Sequence, residues 1–271
     1  MKDIRIAVVV TCSPVGKNAE NIDKVARWAA RARDQGAGLV CFPELNLTGY
    51  SNHPDILKAA ETVPGPCSEK LAAIAGENKL ILLAGLAEKT LDERVLATHL
   101  VASPDRSVQV YRKLHLAPPE QKIFSPGDRV PLFKTEAVTF GIQLCYDAHF
   151  PELATRMTLD GADVIFMPHA SPRGEALQKH VSWMRHLTAR AYDNGVFIVA
   201  VNQVGENGRG LSFPGNAVVI SPSGEIMAKD LSGKEGLLLA DLRAEDLAYV
   251  RDHRMRYFLP NRRPDVYHLK G

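Results

Sequence analysis

Three residues whose side chains can do hydrolytic chemistry stand directly after short apolar runs of the chain. Glu44, Lys113 and Cys145 each follow a run with the composition of a buried strand. In α/β sheets, ligands bind outside the carboxyl ends of strands. A carboxylate, an ammonium and a thiol at three such ends can therefore converge on one pocket, where they could serve as base, oxyanion partner and nucleophile.

Cys145 has the most informative context of the three. A predicted strand, Cys145-Tyr-Asp, Phe150-Pro-Glu and a predicted helix follow one another, which resembles a nucleophile elbow in layout. A thiol on that turn would lie near the positive end of a helix, which favours the thiolate. The next backbone amides could point at a developing oxyanion. The ordinary alternative, a small buried residue after a strand, suits Cys41 better.

The other polar candidates also have ordinary explanations. Glu44 alone would usually be a solvated loop carboxylate, but beside a buried thiol a desolvated carboxylate of raised pKa is a sound general base. Lys113 alone is more often a surface cation, although in a closed pocket its ammonium would stabilise a tetrahedral oxyanion. Glu120 has the weakest individual case, because Pro118-Pro-Glu-Gln121 is usually just a loop.

A competing mechanism would pair the thiol with a histidine. His149 lies four residues after Cys145, whereas cysteine hydrolases take their histidine from a distant part of the chain. The distant candidates are His115, His169 and His180, and none lies in a recognisable Cys–His signature. The Glu–Lys–Cys set is therefore preferred.

Apolar runs and helical patterns alternate along the chain and must position these residues. They predict a mixed sheet system with helices outside, in one domain over 1–271. The predicted strands cover 4–10, 38–42, 80–86, 96–102, 107–112, 138–144, 164–167, 196–201, 217–220, 225–229 and 236–242, and the predicted helices cover 21–35, 68–77, 150–160 and 178–193.

Composition excludes several classes of partner and site. The net charge of +2 over 271 residues gives no reason to expect a nucleic-acid or membrane partner. The apolar run 6–10 is too short for a secretory signal, so a cytoplasmic protein is expected. The four cysteines form no CxxC pair, which argues against structural zinc.

Three segments resemble the catalytic motifs of the nitrilase superfamily, the carbon–nitrogen hydrolases. They are Phe42-Pro-Glu-Leu-Asn-Leu-Thr-Gly-Tyr50, Tyr111-Arg-Lys-Leu-His-Leu116 and Leu144-Cys-Tyr-Asp-Ala-His-Phe-Pro-Glu152. Their order and wide separation match the family as well, and the resemblance reaches the Arg262-Arg-Pro-Asp-Val-Tyr267 tail. The resemblance implies a four-layer α-β-β-α sandwich of two mixed sheets with helices outside.

The resemblance also implies a role for each residue of the site. Glu44 would be the general base, Lys113 the oxyanion-stabilising cation and Cys145 the nucleophile. Glu120 would be the family's second glutamate, which positions substrate, and the amide of Tyr146 would complete the oxyanion site. No cofactor or metal is expected, because a thiolate supplies the nucleophile that a metal hydroxide would otherwise provide.

Two positions bear on the branch of the family. Tyr146-Asp147 resembles the amide-hydrolysing branches more than the true nitrilases, which usually carry Trp-Glu, so an amide is favoured over a nitrile. His149 stands where many amidase-like members have arginine, which makes transfer from any one subfamily less direct. Hydrolysis of a small amide is the leading expectation; an N-carbamoyl amide hydrolase, a nitrilase and a non-catalytic binding protein on the same scaffold are the alternatives.

The pocket rim and the assembly follow from the same resemblance and from loop positions. The predicted rim comprises 46–53, 117–124, 169–174 and 202–214, which contain the candidate substrate-binding residues Tyr50, His169 and Arg173. Arg173 could bind a substrate carboxylate, although a surface loop arginine is the more ordinary interpretation. A homodimer or higher homo-oligomer is expected through the helices near 150–160 and 178–193, with the tail 247–271 reaching across to the partner subunit.

Overall fold

The computed structural model describes residues 1–266. Its α-helices are α1 Asn18–Asp34, α2 Pro66–Asn78, α3 Pro151–Leu159, α4 Ala176–Met184, α5 Leu187–Asn194 and α6 Ala244–Arg251. Its strands are β1 Ile4–Val10, β2 Leu39–Cys41, β3 Ile81–Lys89, β4 Val95–Ala102, β5 Val108–Arg112, β6 Phe133–Lys134, β7 Thr139–Ile142, β8 Val164–His169, β9 Phe197–Asn202, β10 Val204–Glu206, β11 Ser212–Pro214, β12 Ala217–Ile220, β13 Ile226–Asp230 and β14 Gly236–Leu242.

Twelve of the strands form two six-stranded sheets of the same internal design. The first sheet has the order β14-β1-β2-β3-β4-β5 and the second has the order β13-β12-β9-β8-β7-β6. In each sheet three consecutive parallel strands, β1-β2-β3 or β7-β8-β9, are flanked by antiparallel ones. The remaining strands, β10 and β11, pair as a small separate ribbon.

The two sheets pack face to face, with helices covering their outer faces. Alternate residues of β1 show this arrangement: Val8 lies in the core between the sheets, whereas Val9 lies in a second core with the helical residues Ile22 and Leu71. The outer face of the second sheet is covered by α3 and α5, which bury Met157 and Leu187. The predicted four-layer α-β-β-α sandwich is confirmed. Within residues 1–266, no helix combines the length and the apolar composition needed to cross a bilayer.

The longest predicted helix, 178–193, is two helices in the structure. The α4 helix ends at Met184 and α5 begins at Leu187, because His186, the second of the two residues between them, leaves the helical region at φ −130° and ψ −34°. No Gly or Pro stands at this break, so the helical periodicity of the sequence could not reveal it. The short strands β6, β10 and β11 were also not predicted.

The part of the tail that the structure describes packs on its own chain. Leu247, Val250 and Leu259 are buried, and the guanidinium of Arg251 donates to Asp163 at 3.0 Å and to the Gly195 carbonyl at 3.0 Å. Contact of the tail with a partner subunit, the homodimer and the cytoplasmic location stay predictions. The end of the tail, from Tyr267, lies outside the described residues.

The loop after β2 is pinned to the neighbouring strand β3 at Gly85. The Gly85 amide donates to Asn46 Oδ1 at 2.8 Å, and the Leu47 amide donates to the Gly85 carbonyl at 2.8 Å. A Cβ at Gly85 would lie 2.6 Å from the Leu45 nitrogen and 2.8 Å from His99 Nδ1. Only a residue without a side chain permits this approach, which fixes the backbone directly after Glu44.

We therefore expect Gly85→Ala to displace that loop. The substitution should lower the free energy of unfolding by roughly 1–3 kcal/mol, as overpacking does, and should reduce catalytic activity. Gly38→Ala is the matched control, since a Cβ there would come no closer than 3.5 Å to its neighbours. Denaturant unfolding of both variants measures the difference; equal stability of the two would contradict the proposed role of Gly85.

Candidate active site

A buried lysine lies between two buried carboxylates at the ends of the strands. Lys113 Nζ lies 2.8 Å from Glu44 Oε1 and 2.9 Å from Glu120 Oε1. Glu44 and Lys113 are fully buried, and Glu120 is 2% exposed. We call these three residues the ionic cluster. Charges removed from water this completely are tolerated only when they are paired and hydrogen-bonded, so the three side chains hold each other in place.

Backbone and side-chain donors from the second sheet fix the position of Glu44. The Ala170 amide, which directly follows β8, donates to Glu44 Oε2 at 3.0 Å. The Gln203 side chain, which directly follows β9, donates to the Glu44 carbonyl at 2.7 Å. Both carboxylate oxygens of Glu44 are therefore occupied, one by an ammonium and one by an amide, and the side chain points in one direction.

Glu120 is held by its own loop and by the first motif. Its Oε2 accepts from the Ala117 amide at 2.8 Å, and its Oε1 accepts from the Tyr50 hydroxyl at 3.0 Å as well as from Lys113. Tyr50 in turn packs edge-on against Phe213 at 6.1 Å between ring centroids. All four predicted rim segments, 46–53, 117–124, 169–174 and 202–214, thus meet at the ionic cluster.

Cys145 sits on a turn whose backbone is forced into the left-handed region. Its φ is +45°, which is costly for a residue with a side chain and is characteristic of functional sites. The side chain is partly exposed. The turn continues as a short 3₁₀ helix, Cys145–His149, and α3 begins only at Pro151. The elbow layout is therefore present, but the helix beside the thiol is a single short turn.

Burial and the charges of the ionic cluster together set the protonation of Cys145. Burial first, and then the negative charge of Glu44, raise the pKa of the thiol, against the opposing effects of Lys113 and of the Ala170 amide. The expectation that a helix end would favour the thiolate is thus outweighed, and the resting group is a thiol. Asp147 accepts both from the Leu144 amide and from the residues that flank Lys113, so the turn of Cys145 lies beside the ionic cluster.

The two other members of the ionic cluster have opposite protonation tendencies. Burial raises the pKa of Glu44, even though the Lys113 charge opposes it. Burial alone would lower the pKa of Lys113, but the negative charges of Glu44 and Glu120, and of Cys145 when it is a thiolate, outweigh it and raise the pKa. Lys113 therefore remains a cation while Glu44 can exchange a proton near neutral pH. A permanent cation beside a carboxylate of raised pKa is suited to proton transfer at a polarised carbonyl.

Asp147 joins the turn of Cys145 to the strand that precedes Lys113. Its Oδ2 accepts from the Tyr111 hydroxyl at 2.7 Å and from the Leu144 amide at 3.0 Å. Its Oδ1 lies 2.8 Å from both the His115 amide and the His115 Nδ1. Tyr111 and His115 flank Lys113 by two residues on either side. Asp147 thus sets the distance between nucleophile and cation, a role that sequence reasoning missed although the residue lies within the third motif.

The remaining predicted site residues, Tyr146, His169 and Arg173, differ in how deeply they are buried. Tyr146 is partly buried and follows Cys145 on the 3₁₀ helix; its ring packs against Phe150 at 5.6 Å. His169 is buried, its Nδ1 lies 2.6 Å from the Met167 carbonyl, and burial lowers its pKa to about 3. Arg173 is exposed, with φ of +69°. Its contribution to substrate binding stays a prediction.

The described histidines do not support a Cys–His pair. His115 is engaged by Asp147, and His169 by Met167. His149 is exposed and its ring packs against that of His186 at 4.7 Å. Within residues 1–266 no histidine forms a hydrogen bond with the Cys145 sulfur, and no three His, Cys, Asp or Glu side chains are grouped to hold a metal ion.

Comparison with known proteins identifies the family. The family profile described as carbon-nitrogen hydrolase matches residues 5–252. A nitrilase from Pyrococcus abyssi is 30% identical over 262 residues, which cover 93% of this chain and 93% of the relative. The chain belongs to the carbon-nitrogen hydrolase family. The resemblance seen in the three motifs is thereby confirmed for this carbon-nitrogen hydrolase.

Two further relatives carry different activities in their names. The N-carbamoylputrescine amidase of Oryza sativa subsp. japonica is 29% identical over 280 residues, covering 96% of this hydrolase and 92% of the relative. A solved mutant of the amidase from Nesterenkonia sp. AN1 shows covalent addition of the acetamide moiety of fluoroacetamide at its active-site cysteine. It matches with a TM-score of 0.79 at 27% identity, covering 93% of this chain and 94% of that one.

The contacts of Asp147 allow a graded test of its positioning role in this hydrolase. Asp147→Ala would leave the Tyr111 hydroxyl and two backbone amides without their acceptor, whereas Tyr111→Phe would remove only one donor. We expect kcat to fall at least about tenfold in Asp147→Ala, with a loss of roughly 1–3 kcal/mol in unfolding free energy, and much less in Tyr111→Phe. Steady-state kinetics and denaturant unfolding measure both; equal effects of the two substitutions would count against the assignment.

Proposed function

We propose that this hydrolase cleaves the carbon–nitrogen bond of a small amide through a thioester on Cys145, releasing ammonia and a carboxylic acid. The single observation that carries the proposal is the placement of the Cys145 thiol beside the ionic cluster. Asp147 joins the turn of Cys145 to the residues that flank Lys113, and Lys113 lies 2.8 Å from Glu44. This arrangement supplies a nucleophile, a base and a cation to one carbonyl group.

In the first half of the reaction Cys145 is acylated. Glu44 takes the thiol proton as the sulfur attacks the carbonyl carbon, and the negative charge that forms on the oxygen is stabilised by Lys113 and the Tyr146 amide. Glu44 then gives the proton to the leaving nitrogen as the carbon–nitrogen bond breaks. The products are a free amine, or ammonia for a primary amide, and an acyl thioester on Cys145.

In the second half a water molecule releases the acid. Glu44, again ionised, takes a proton from the water as its oxygen attacks the thioester carbon, and the same two groups stabilise the oxyanion. The carbon–sulfur bond breaks, the thiolate recovers the proton from Glu44, and the carboxylic acid leaves. Glu120 takes part in no proton transfer in this scheme. Its contacts with Lys113 and Tyr50 keep the cation oriented toward the substrate.

An N-carbamoyl amide is the second candidate substrate. It is favoured by the similarity to N-carbamoylputrescine amidase, whereas the Tyr146-Asp147 pair and the Nesterenkonia amidase favour a simple amide. The products distinguish the two, because an N-carbamoyl substrate releases carbon dioxide as well as ammonia. A nitrilase activity would be indicated by nitriles that are turned over faster than the matching amides.

The first test of the proposal removes the nucleophile. Ammonia release across a panel of small amides should be abolished in Cys145→Ala, because no other group of the site can form the acyl intermediate. Cys12→Ser is the matched control, since Cys12 is likewise partly exposed and should be dispensable. Equal turnover by the wild type and Cys145→Ala would end the proposal.

The same cysteine should be trapped by an activated amide. Mass spectrometry after reaction with fluoroacetamide or iodoacetamide should place the adduct on Cys145, because its neighbours can activate it and because Cys41 and Cys67 are buried. Selective labelling of Cys12, Cys41 or Cys67 would instead favour a non-catalytic binding protein on this scaffold.

The pH dependence should report the ionisation of Glu44. Burial raises its pKa from an ordinary 4.5 to about 7, and a base must be ionised to take the thiol proton. We therefore expect kcat/KM to fall as the pH drops through the neutral range, well above the range of an ordinary carboxylate.

A neighbouring charge provides the internal check on this assignment. The negative charge of Glu120 contributes to the raised pKa of Glu44. Glu120→Gln should therefore move the acid limb of the kcat/KM profile to lower pH, whatever its effect on the maximum. Glu69→Gln, at an exposed position of α2, should leave the limb in place. An acid limb that stays fixed or moves upward in Glu120→Gln would contradict the assignment of that limb to Glu44.

A further inference from the structure

A second lysine lies beside the candidate active site and has no part in the mechanism above. Lys179 is half-buried in the first turn of α4. Its ammonium donates to Ser171 Oγ at 2.8 Å and to the Pro172 carbonyl at 3.2 Å. These two contacts fold the side chain back over the loop that follows β8, so the ammonium has a defined place.

That loop connects Lys179 directly to the ionic cluster. Ser171 follows Ala170, whose amide donates to Glu44 at 3.0 Å. Ser171 is itself fixed by Asn202, which accepts from its amide at 2.9 Å and donates to its carbonyl at 3.0 Å. The ammonium of Lys179 is therefore anchored one residue away from the amide that donates to Glu44.

The position of this ammonium is electrostatically unfavourable in the free protein. Positive charge in the first turn of a helix is opposed by the helix dipole, and α4 has no acidic residue in that turn. Both contacts of the ammonium are with neutral oxygens, and within residues 1–266 no carboxylate oxygen comes within the 4.0 Å of an ion pair. An anion brought to this place would relieve all of these conditions.

The electrostatic environment of Lys179 points in the same direction. Burial lowers the pKa of its ammonium, and the negative charge of a Cys145 thiolate is the one opposing effect among the described groups. Lys179 thus lies within electrostatic range of the reacting sulfur. An anionic group on a short acyl chain bonded to that sulfur would come within the same range of the ammonium.

We propose that Lys179 is a specificity-determining residue that binds an anionic group, a carboxylate, on the acyl side of a short amide substrate. The inference rests on the proposed amide hydrolysis and names the class of substrate: the monoamide of a short dicarboxylic acid. Arg173 lies on the same loop and could bind a carboxylate in principle, but it is exposed. Lys179 has the anchored, partly desolvated ammonium that makes a carboxylate contact strong.

The test compares two amides that differ only in charge. Succinamate carries a carboxylate at the end of its acyl chain, and butyramide has a methyl group in its place. For the wild type we expect kcat/KM to be higher for succinamate. In Lys179→Met this preference should fall by roughly tenfold to a hundredfold, as expected for loss of a hydrogen bond to a charged group, mainly through KM for succinamate, with butyramide turnover little changed.

Three further variants separate specificity from structure. Lys179→Arg keeps the charge and should retain most of the preference for succinamate. Lys179→Glu should reverse it, so that 4-aminobutyramide, which carries an ammonium, becomes better than succinamate. Lys70→Met removes an exposed lysine from α2, on the opposite outer layer. It should leave kcat/KM unchanged for both succinamate and butyramide.

Several results would overturn the inference. An equal loss of turnover for succinamate and butyramide in Lys179→Met would assign the residue to the structure or to the thiolate of Cys145. Loss of the preference in Arg173→Met and not in Lys179→Met would assign the carboxylate to Arg173. If kcat/KM of the wild type is the same for butyramide and succinamate, the inference ends and the amidase proposal stays intact. A wild type that releases ammonia from no amide would end both.

Discussion

A buried ammonium held between two buried carboxylates is the interaction on which the rest of this structure depends. Moving each such ion out of water costs several kcal/mol even after relaxation, and Glu44, Lys113 and Glu120 are all almost completely buried. The cost is offset only because every oxygen and the ammonium find close partners. Water is thereby excluded from the place where charge must develop, which strengthens each electrostatic contact with a substrate.

Meeting this constraint requires both sheets. Glu44 and Lys113 follow β2 and β5 of the first sheet, whereas Cys145 follows β7 and the Ala170 amide follows β8 of the second. The C-terminal ends of these four strands deliver the groups to one site, and Gln203 and Asp147 then join the loops across the interface. The packing of the two sheets in the sandwich therefore places the strand ends of both sheets at the same site.

Much of this could be predicted from the sequence, and the failures have physical reasons. Strand and helix positions followed from apolar periodicity, and Glu44, Lys113 and Cys145 were found because each stands just past a buried strand. The break at His186 was missed because no Gly or Pro marks it. The raised pKa of the Cys145 thiol was missed because it depends on burial in the folded protein and on the charge of Glu44, which is distant in sequence. Lys179 was missed because its importance lies in the oxygens it touches and the carboxylates it lacks, neither of which a sequence displays.

The four contacts of Asp147 tie the nucleophile turn to the lysine strand across the two sheets. A nascent chain in which only one sheet has formed cannot make them, and its Cys145 is then a water-exposed cysteine with no base beside it. Reactivity toward carbonyl groups thus arises only when both halves have docked. A chain that is still folding therefore carries no activated thiol, since the contacts that place the base beside the sulfur require both sheets.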